Sequence, residues 1–322
     1  MNYPSDIPYW LALAAKSALP IPKLEAIFNN HHSLEPLWTE NVDFLRCEDF
    51  NDSEIRKILE YRLSVKINYY QTLTKTLESK EIKIIRYVDN DYPSILKDFG
   101  NYHIKPPLAF LLKGSVDALD EGVAIVGTRE CSFHGHMMAR RIARTIAKAG
   151  YIIYSGLARG VDTEAHCGAL EASYGRTVAI LPWLSEQDFY PEENINLAAD
   201  ITKKGAILSE YYEPPRVHPS LNARAAFVIR NRITSGLARC IILVESGATG
   251  GTYRQASIAK DQGRKMFAVK PKSDNKRAME GFKQFIEMGA TQIESAKPVI
   301  EFLTLNSGAK TKRIDSFSNQ FL

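Results

Sequence analysis

The sequence lacks any continuous apolar run of the length that a membrane-spanning helix needs, about 18 residues or more. Its first residues, MNYPSDIPYW, also lack a basic segment followed by a long apolar one, so no secretory signal peptide is predicted. Cysteine is scarce, and no C-x-x-C pair is present, which argues against zinc. We therefore expect a cytoplasmic protein that does not associate with membranes. The four cysteines are Cys47, Cys131, Cys167 and Cys240.

The motifs of common nucleotide enzymes are also missing. The glycine-containing segments match neither the G-x-G-x-x-G fingerprint of dinucleotide-binding proteins nor the Gly-Lys-Ser/Thr ending of a P-loop. No nucleophile elbow and no cluster of metal ligands stands out. The formal net charge is only +4, so overall charge identifies no anionic partner. We predict no catalytic residue, metal or cofactor, and any nucleic-acid site must be located from where the charges lie.

Apolar runs alternate with helical segments over most of the chain. Near-continuous apolar strands separated by amphipathic helices are typical of a parallel sheet covered on both faces. We therefore predict an α/β fold with an extended Rossmann-like parallel sheet domain over residues 81–305. Residues 1–80 are predicted to form a small all-helical domain of SAM or helix-hairpin-helix type, and residues 306–322 a disordered tail without a winged-helix domain. The clearest predicted strands are Val123–Val126, Tyr151–Tyr154, Thr177–Leu181, Ala206–Leu208, Cys240–Val244 and Met266–Val269.

Two glycine-containing turns follow the first two of these strands. Open parallel sheets build their ligand sites at the carboxyl ends of strands, and helix N-termini favour anions, so both turns are predicted to bind phosphate. Each turn carries an arginine, which can pair with phosphate through two hydrogen bonds. Asp162 and His166, one helical turn apart, are interpreted as a local hydrogen bond rather than a catalytic pair. The predicted contacts are Gly127, Thr128, Arg129 and Ser132 from the first turn, and Ser155, Gly156, Arg159 and Gly160 from the second.

A third candidate segment, residues 214–239, contains arginines but no acidic residue. Phe227 precedes the run Arg230-Asn231-Arg232 within it. Arginines next to an aromatic ring suit a polyanion whose bases can stack. If the strands wind regularly, this segment reaches the same sheet edge as the two turns, and the three together predict a single-stranded nucleic-acid site. The arginines of the segment are Arg216, Arg224, Arg230, Arg232 and Arg239.

The ordered motifs of the chain resemble those of the DprA/Smf family, the DNA processing protein A group. The resemblance covers roughly residues 85–300, and the helical N-terminus fits the small helical domain of that family. Its motifs in this sequence are DYPSIL, PPLAFLLKG, VAIVGTR, SGLARGVDTEAHCGAL, GAILSEY, RNRITSGLA, GRKMFAVKP and GFKQFIEMGATQI.

This resemblance implies a homodimer that binds single-stranded DNA, protects incoming strands during natural transformation and loads a RecA-type recombinase. It implies phosphate contacts for Arg129, Arg159, Arg230 and Arg232, with Ser155, Gly156, Asn231 and the neighbourhood of Phe227 shaping the pocket. The chain departs from the family pattern at several places, including Phe227-Val228 where Phe-Pro is usual.

Two alternatives remain open from the sequence. The wider superfamily includes LOG-type nucleotide phosphoribohydrolases, whose loop P-G-G-x-G-T-x-E-E is similar to residues 250–255 here. Arg254 and Gln255 stand where the acids would be, which removes the carboxylates that glycosidic hydrolysis uses. The other alternative is a nucleotide-sensing module on the same fold. We therefore expect a non-enzymatic protein.

Overall fold

The structure is a computed structural model that describes residues 5–16, 19–100, 103, 105–185, 191–213, 223–272 and 274–306. The predicted disordered tail lies outside these ranges from residue 307 onward. The helices are α1 (Ile7–Lys16), α2 (Ile21–His31), α3 (Pro36–Thr39), α4 (Val42–Cys47), α5 (Asp52–Ser64), α6 (Ile67–Ser79), α7 (Ser94–Lys97), α8 (Phe133–Lys148), α9 (Val161–Leu170), α10 (Ile195–Lys204), α11 (Ala223–Gly236), α12 (Gly251–Asp261), α13 (Lys276–Glu287) and α14 (Lys297–Asn306). The strands are β1 (Lys83–Arg86), β2 (Ala109–Gly114), β3 (Gly122–Gly127), β4 (Ile152–Ser155), β5 (Thr177–Ile180), β6 (Ala206–Ser209), β7 (Cys240–Val244), β8 (Lys265–Val269) and β9 (Thr291–Ile293).

The nine strands of the described ranges form one sheet in the order β1-β2-β6-β5-β4-β3-β7-β8-β9. The seven strands β6-β5-β4-β3-β7-β8-β9, taken in their order across the sheet, all run parallel to one another. This parallel arrangement confirms the predicted α/β, Rossmann-like fold. β2 is antiparallel to both β1 and β6, so an antiparallel edge extends the predicted parallel sheet. The chain winds outward in opposite directions from β3 and β7. These two neighbouring strands therefore mark the topological switch point, where such sheets bind ligands.

Helices cover both faces of the sheet. Successive residues of a strand point to opposite faces. On one face, α8, α9 and α14 bury Ile142, Ala165 and Val299 against β3 and its neighbours. On the other face, α11 and α12 contribute Ile233 and Ala256. The site therefore rests on a sheet that is held from both sides.

The N-terminal helices pack together and also against the sheet. Their own core includes Trp10 and Leu24, while Ile7 of α1 belongs to a cluster with sheet residues. Arg86 of β1 donates to the buried Asp6 carboxylate at 2.9 Å. Since these contacts cross residue 80, the division into domains 1–80 and 81–305 remains a prediction. None of the helices in the described ranges is long and apolar enough to cross a membrane.

Candidate nucleic-acid interface

The loops that follow β3, β4 and β7 meet at one edge of the sheet. β4 and β7 flank β3 and run parallel to it, so their carboxyl ends lie side by side. The backbone N–H of Val161 donates to the carbonyl of Thr128 at 3.3 Å. Gly160, with φ of +71°, lies so close to the carbonyls of Thr128 and Arg129 that a side chain would not fit. The structure therefore brings the two predicted turns into direct contact.

A carboxylate of the chain itself occupies the N-terminus of α8. Glu245, the residue after β7, accepts hydrogen bonds from the backbone N–H of Ser132 at 2.8 Å and from its hydroxyl at 2.5 Å. The backbone N–H of Thr128 donates to the Glu245 carbonyl at 2.9 Å. Glu245 is buried and has a positive φ of 42°. The predicted attraction for an anion is present here, but an internal carboxylate already satisfies it.

Hydrogen bonds of buried side chains stabilise the second turn. Leu157 adopts the left-handed conformation with φ of +57°, which is uncommon for a residue other than glycine. The buried Asp162 carboxylate accepts from two backbone N–H groups of the turn, including that of Gly156 at 3.1 Å. The Ser155 hydroxyl donates to the Ile125 carbonyl at 2.6 Å and is fully buried. Ser155 therefore joins β4 to β3, and its hydroxyl does not face the surface.

Arg230 extends from α11 to the second turn. Gly156 permits this approach, because a Cβ at that position would overlap the Arg230 guanidinium. Burial lowers the pKa of Arg230, while the Asp162 carboxylate opposes the shift and the charge of Arg129 adds to it. The Nε atom of Arg230 is buried and has no hydrogen-bond partner among the described residues. A buried cation beside a second arginine is a place that an anion would stabilise.

Aromatic rings adjoin these arginines. The Arg129 guanidinium lies over the Phe227 ring, 5.7 Å from its centroid, as a cation–π contact. Phe227 in turn meets Trp183, with 5.6 Å between ring centroids and an interplanar angle of 74°. Both rings are half-buried, whereas Arg129 is exposed. Aromatic rings next to an exposed cation are the arrangement on which nucleobases stack.

Arg159 lies on the exposed side of the second turn and pairs with Glu193. Its Nη2 atom donates to a Glu193 oxygen at 2.9 Å, and this bond lowers the pKa of Glu193. The two side chains are 59% and 48% exposed. Water screens an ion pair this exposed, so the pair contributes little to the stability of the fold. A phosphate can therefore replace the Glu193 carboxylate at little cost.

The Arg232 side chain turns away from this group. Successive residues of a helix are rotated by about 100°, and α11 carries the whole Arg230-Asn231-Arg232 run. The Arg232 guanidinium is buried and donates twice to Glu210, at 2.9 and 2.8 Å, and also to the Lys105 carbonyl at 2.9 Å. In this structure Arg232 therefore anchors α11 to the loop after β6. The segment 214–222, which includes Arg216, lies outside the described residues.

Asp162 and His166 bond to different partners. The Nδ1 atom of the fully buried His166 lies 2.7 Å from the Thr177 hydroxyl, while Asp162 caps the preceding turn. Asp162 therefore stabilises the start of α9, as the sequence interpretation had it. The side chains of Asp162 and His166 each bond to a different partner instead of to one another. Burial, together with the charge of Arg230, lowers the pKa of His166 to about 3.

We expect the free energy of unfolding to fall as the pH drops below about 6.5. The unfolded chain binds a proton at His166 near pH 6.5, whereas the folded chain resists it until about pH 3. The folded state therefore loses up to about 1.4 kcal/mol per pH unit across this window. Chemical denaturation of the wild type and of His166→Gln from pH 7 to pH 4 measures the difference. A variant whose stability declines as steeply as that of the wild type would contradict the assignment.

Three residues at this edge of the sheet were not predicted from the sequence. Trp183 stands in the loop after β5, and its position as an aromatic beyond a strand end was a usable signal. Glu193 and Glu245 were not predicted because each pairs with a residue far from it along the chain. Nothing in the local pattern marks a carboxylate as the partner of a particular arginine or serine. The site is therefore more internally neutralised than the sequence indicates.

Comparison with known proteins gives the family. The family model described as DNA recombination-mediator protein A matches residues 83–304. The chain is 31% identical to Protein Smf of Synechocystis over 305 residues, covering 93% of this chain and 73% of that protein. It is 33% identical to DNA processing protein DprA of Bacillus subtilis over 240 residues, covering 73% and 77% respectively.

Solved structures agree with these sequence matches. The X-ray structure of DNA processing protein A from Streptococcus pneumoniae superposes with a TM-score of 0.72 at 25% identity, covering 94% of this chain and 98% of that one. A Helicobacter pylori DNA processing protein A, studied for its single-stranded DNA binding mode, gives a TM-score of 0.58 at 26% identity and covers 71% and 98%. The chain therefore belongs to the DprA/Smf family of DNA-processing proteins.

Proposed function

We propose that this protein binds single-stranded DNA at the carboxyl edge of its sheet. The observation that supports this most strongly is the Arg129 guanidinium over the Phe227 ring, which meets Trp183, while Arg230 of the same helix as Phe227 reaches Gly156 in the second turn. Cations positioned for phosphates next to aromatic surfaces suit a strand whose bases are unpaired. Arg159 extends the same edge toward solvent. The single-stranded DNA binding studied in the Helicobacter pylori relative supports the same proposal.

The two alternatives fit the structure less well. Hydrolysis of a nucleotide at the glycine-rich loop needs a carboxylate, but Gln255 is buried there and donates to the Asn231 carbonyl at 2.9 Å. A mononucleotide module on this fold would bind its phosphate at the helix N-terminus beside the switch point, and the Glu245 carboxylate already accepts from Ser132 there. We therefore propose a binding protein without catalytic activity.

The proposed role concerns the fate of the bound single-stranded DNA. We propose that the protein protects incoming DNA during natural transformation and delivers it to a RecA-type recombinase, as a homodimer whose helical residues 1–80 and sheet residues 81–305 form separate domains. These points rest on membership in a family described by recombination mediation. The contacts proposed for DNA are Arg129 and Arg159 of the two turns, together with Phe227 and Arg230.

One titration series tests the binding proposal. We expect an oligothymidylate to bind more tightly than duplex DNA or any mononucleotide, because only the single strand can place both phosphates and unpaired bases at this edge. The logarithm of affinity should fall linearly with the logarithm of salt concentration, with a slope of about −2 for three neutralised phosphates. Fluorescence anisotropy at several salt concentrations measures it. Preference for a mononucleotide, or release of free base from it, would refute the proposal.

A further inference from the structure

A second group of basic residues lies on the other side of the switch point. The residues follow β7 and β8, whose carboxyl ends share the sheet edge with β3. All five are exposed. We call them the second basic surface: Arg254, Lys270, Lys272, Lys276 and Arg277.

Direct contacts connect this surface to the site already described. His134 of α8 lies 3.3 Å from the Lys270 carbonyl through its Nε2 atom. The Arg277 side chain packs against Gly247, two residues beyond Glu245. Adjacent strands are about 4.8 Å apart, so the end of β8 lies roughly 10 Å from the end of β3 along the edge. The second basic surface therefore continues the edge that begins at Arg129.

An exposed aromatic residue lies between the two basic groups. Phe133 is the first residue of α8 and is 80% exposed, and Met137, one turn later, is 51% exposed. Single exposed apolar residues are common on protein surfaces, so what distinguishes Phe133 is its position between two basic groups. Glu245, which follows β7, bonds to Ser132, the residue before Phe133, so a strand that passes from the β3 loop to the β7 loop lies next to the start of α8.

The local charge balance favours a polyanion. Near the second basic surface, Asp274 and Glu280 are exposed acids, and Glu130 stands beside Arg129. No ion pair joins any of the five basic side chains to a carboxylate in the part of the chain that the structure describes. Glu245 is buried and bonded to Ser132, so it does not offset the positive charge at the surface.

We propose that a bound single strand continues from Arg129 across Phe133, where one base stacks, onto the second basic surface. This inference rests on the proposed function, since it extends the same DNA site. The bases stay unpaired along the path, because stacking on Phe133 needs a free face. The added contacts matter only for strands long enough to span both groups.

The test compares oligothymidylates of about 3 and about 15 nucleotides. The two phosphates of the short strand are used up by Arg159 and Arg129, whereas the long strand lies within the range that single-strand binding sites occupy. The variant Lys270→Gln, Lys272→Gln, Lys276→Gln, Arg277→Gln should bind the long strand roughly 10- to 100-fold more weakly. Its salt slope should be shallower by about 0.7 for each phosphate that the variant no longer neutralises. Affinity for the short strand should match that of the wild type. The matched control replaces four remote exposed lysines with glutamine, namely Lys57, Lys75, Lys148 and Lys260.

Two further measurements separate the possible outcomes. Phe133→Ala should weaken long-strand binding roughly 5- to 100-fold, whereas Phe133→Tyr should keep it, because a ring is what stacks. Ultraviolet cross-linking of the wild type with mass spectrometry should place the strand on peptides containing Phe133 and Lys272. Equal losses in the control and surface variants, or no loss in either, would overturn the inference while leaving the DNA site intact. A wild type that binds neither strand would overturn the proposed function itself.

Discussion

Replacing both Arg129 and Arg159 with alanine is expected to weaken single-stranded DNA binding by at least about 100-fold. Each arginine can form charge-assisted hydrogen bonds with a phosphate, and removing such a bond costs about 1.5–3 kcal/mol. With two fewer phosphates neutralised, the salt slope should also become shallower by about 1.4. Both side chains are exposed, so the substitutions should leave the fold intact. Anisotropy titrations at several salt concentrations measure both effects.

The control for this variant is another exposed arginine on the same part of the fold. Arg144 lies on α8, is 49% exposed and pairs with Glu171, away from the strand ends. Arg144→Ala removes a positive charge but no proposed DNA contact, so it should change affinity less than about threefold. If Arg144→Ala weakens binding as much as the double variant does, the effect comes from net charge and the site assignment is wrong. Unchanged binding in the double variant would lead to the same conclusion.

Glu210→Ala is expected to lower the free energy of unfolding by about 3–5 kcal/mol. The change leaves the Arg232 guanidinium buried without its carboxylate, and an uncompensated buried charge is among the largest single-residue penalties. Both side chains of this pair are almost fully buried, at 5% and 7% exposed. A loss of this size is a large share of the total stability of a typical domain, which is about 5–15 kcal/mol. Equilibrium denaturation in urea measures it.

Two companion variants show whether the loss comes from the buried charge. Arg232→Met combined with Glu210→Leu removes both charges and should recover most of the stability, because apolar replacements of buried ion pairs are often neutral. Asp200→Ala breaks the exposed pair with Lys203 and should cost less than about 1 kcal/mol. If the double variant is no more stable than Glu210→Ala, the pair acts through its hydrogen bonds to the backbone, such as the one to the Lys105 carbonyl.

Most of the fold could be predicted because its signals are local. The strands from β3 to β8 are short apolar runs, and the buried stripe of α8 repeats with the helical period through Met138, Ile142 and Ile146. The antiparallel direction of β2 was not predicted, because strand direction depends on how distant segments pair.

The site was harder to predict, since it depends on which way side chains point. From the sequence, Arg230 and Arg232 were both predicted to contact phosphates as members of one basic run. In the helix they diverge, so that Arg230 reaches Gly156 while Arg232 pairs with Glu210. Ser155 and Ser132 likewise belong to the predicted turns, but their hydroxyls bond to Ile125 and Glu245. A motif shows which residues are near an edge, whereas the rotation of each side chain is a tertiary property.

The sequence by itself determined the α/β fold and the sheet edge at which Arg129 and Arg159 lie. Apolar periodicity decides which segments become strands, and parallel winding places the loops after those strands together. Only the tertiary structure decided how the charges at that edge are balanced. Glu193, Glu210 and Glu245 reach their partners across long stretches of chain, and a carboxylate neutralises a cation only where folding brings the two together.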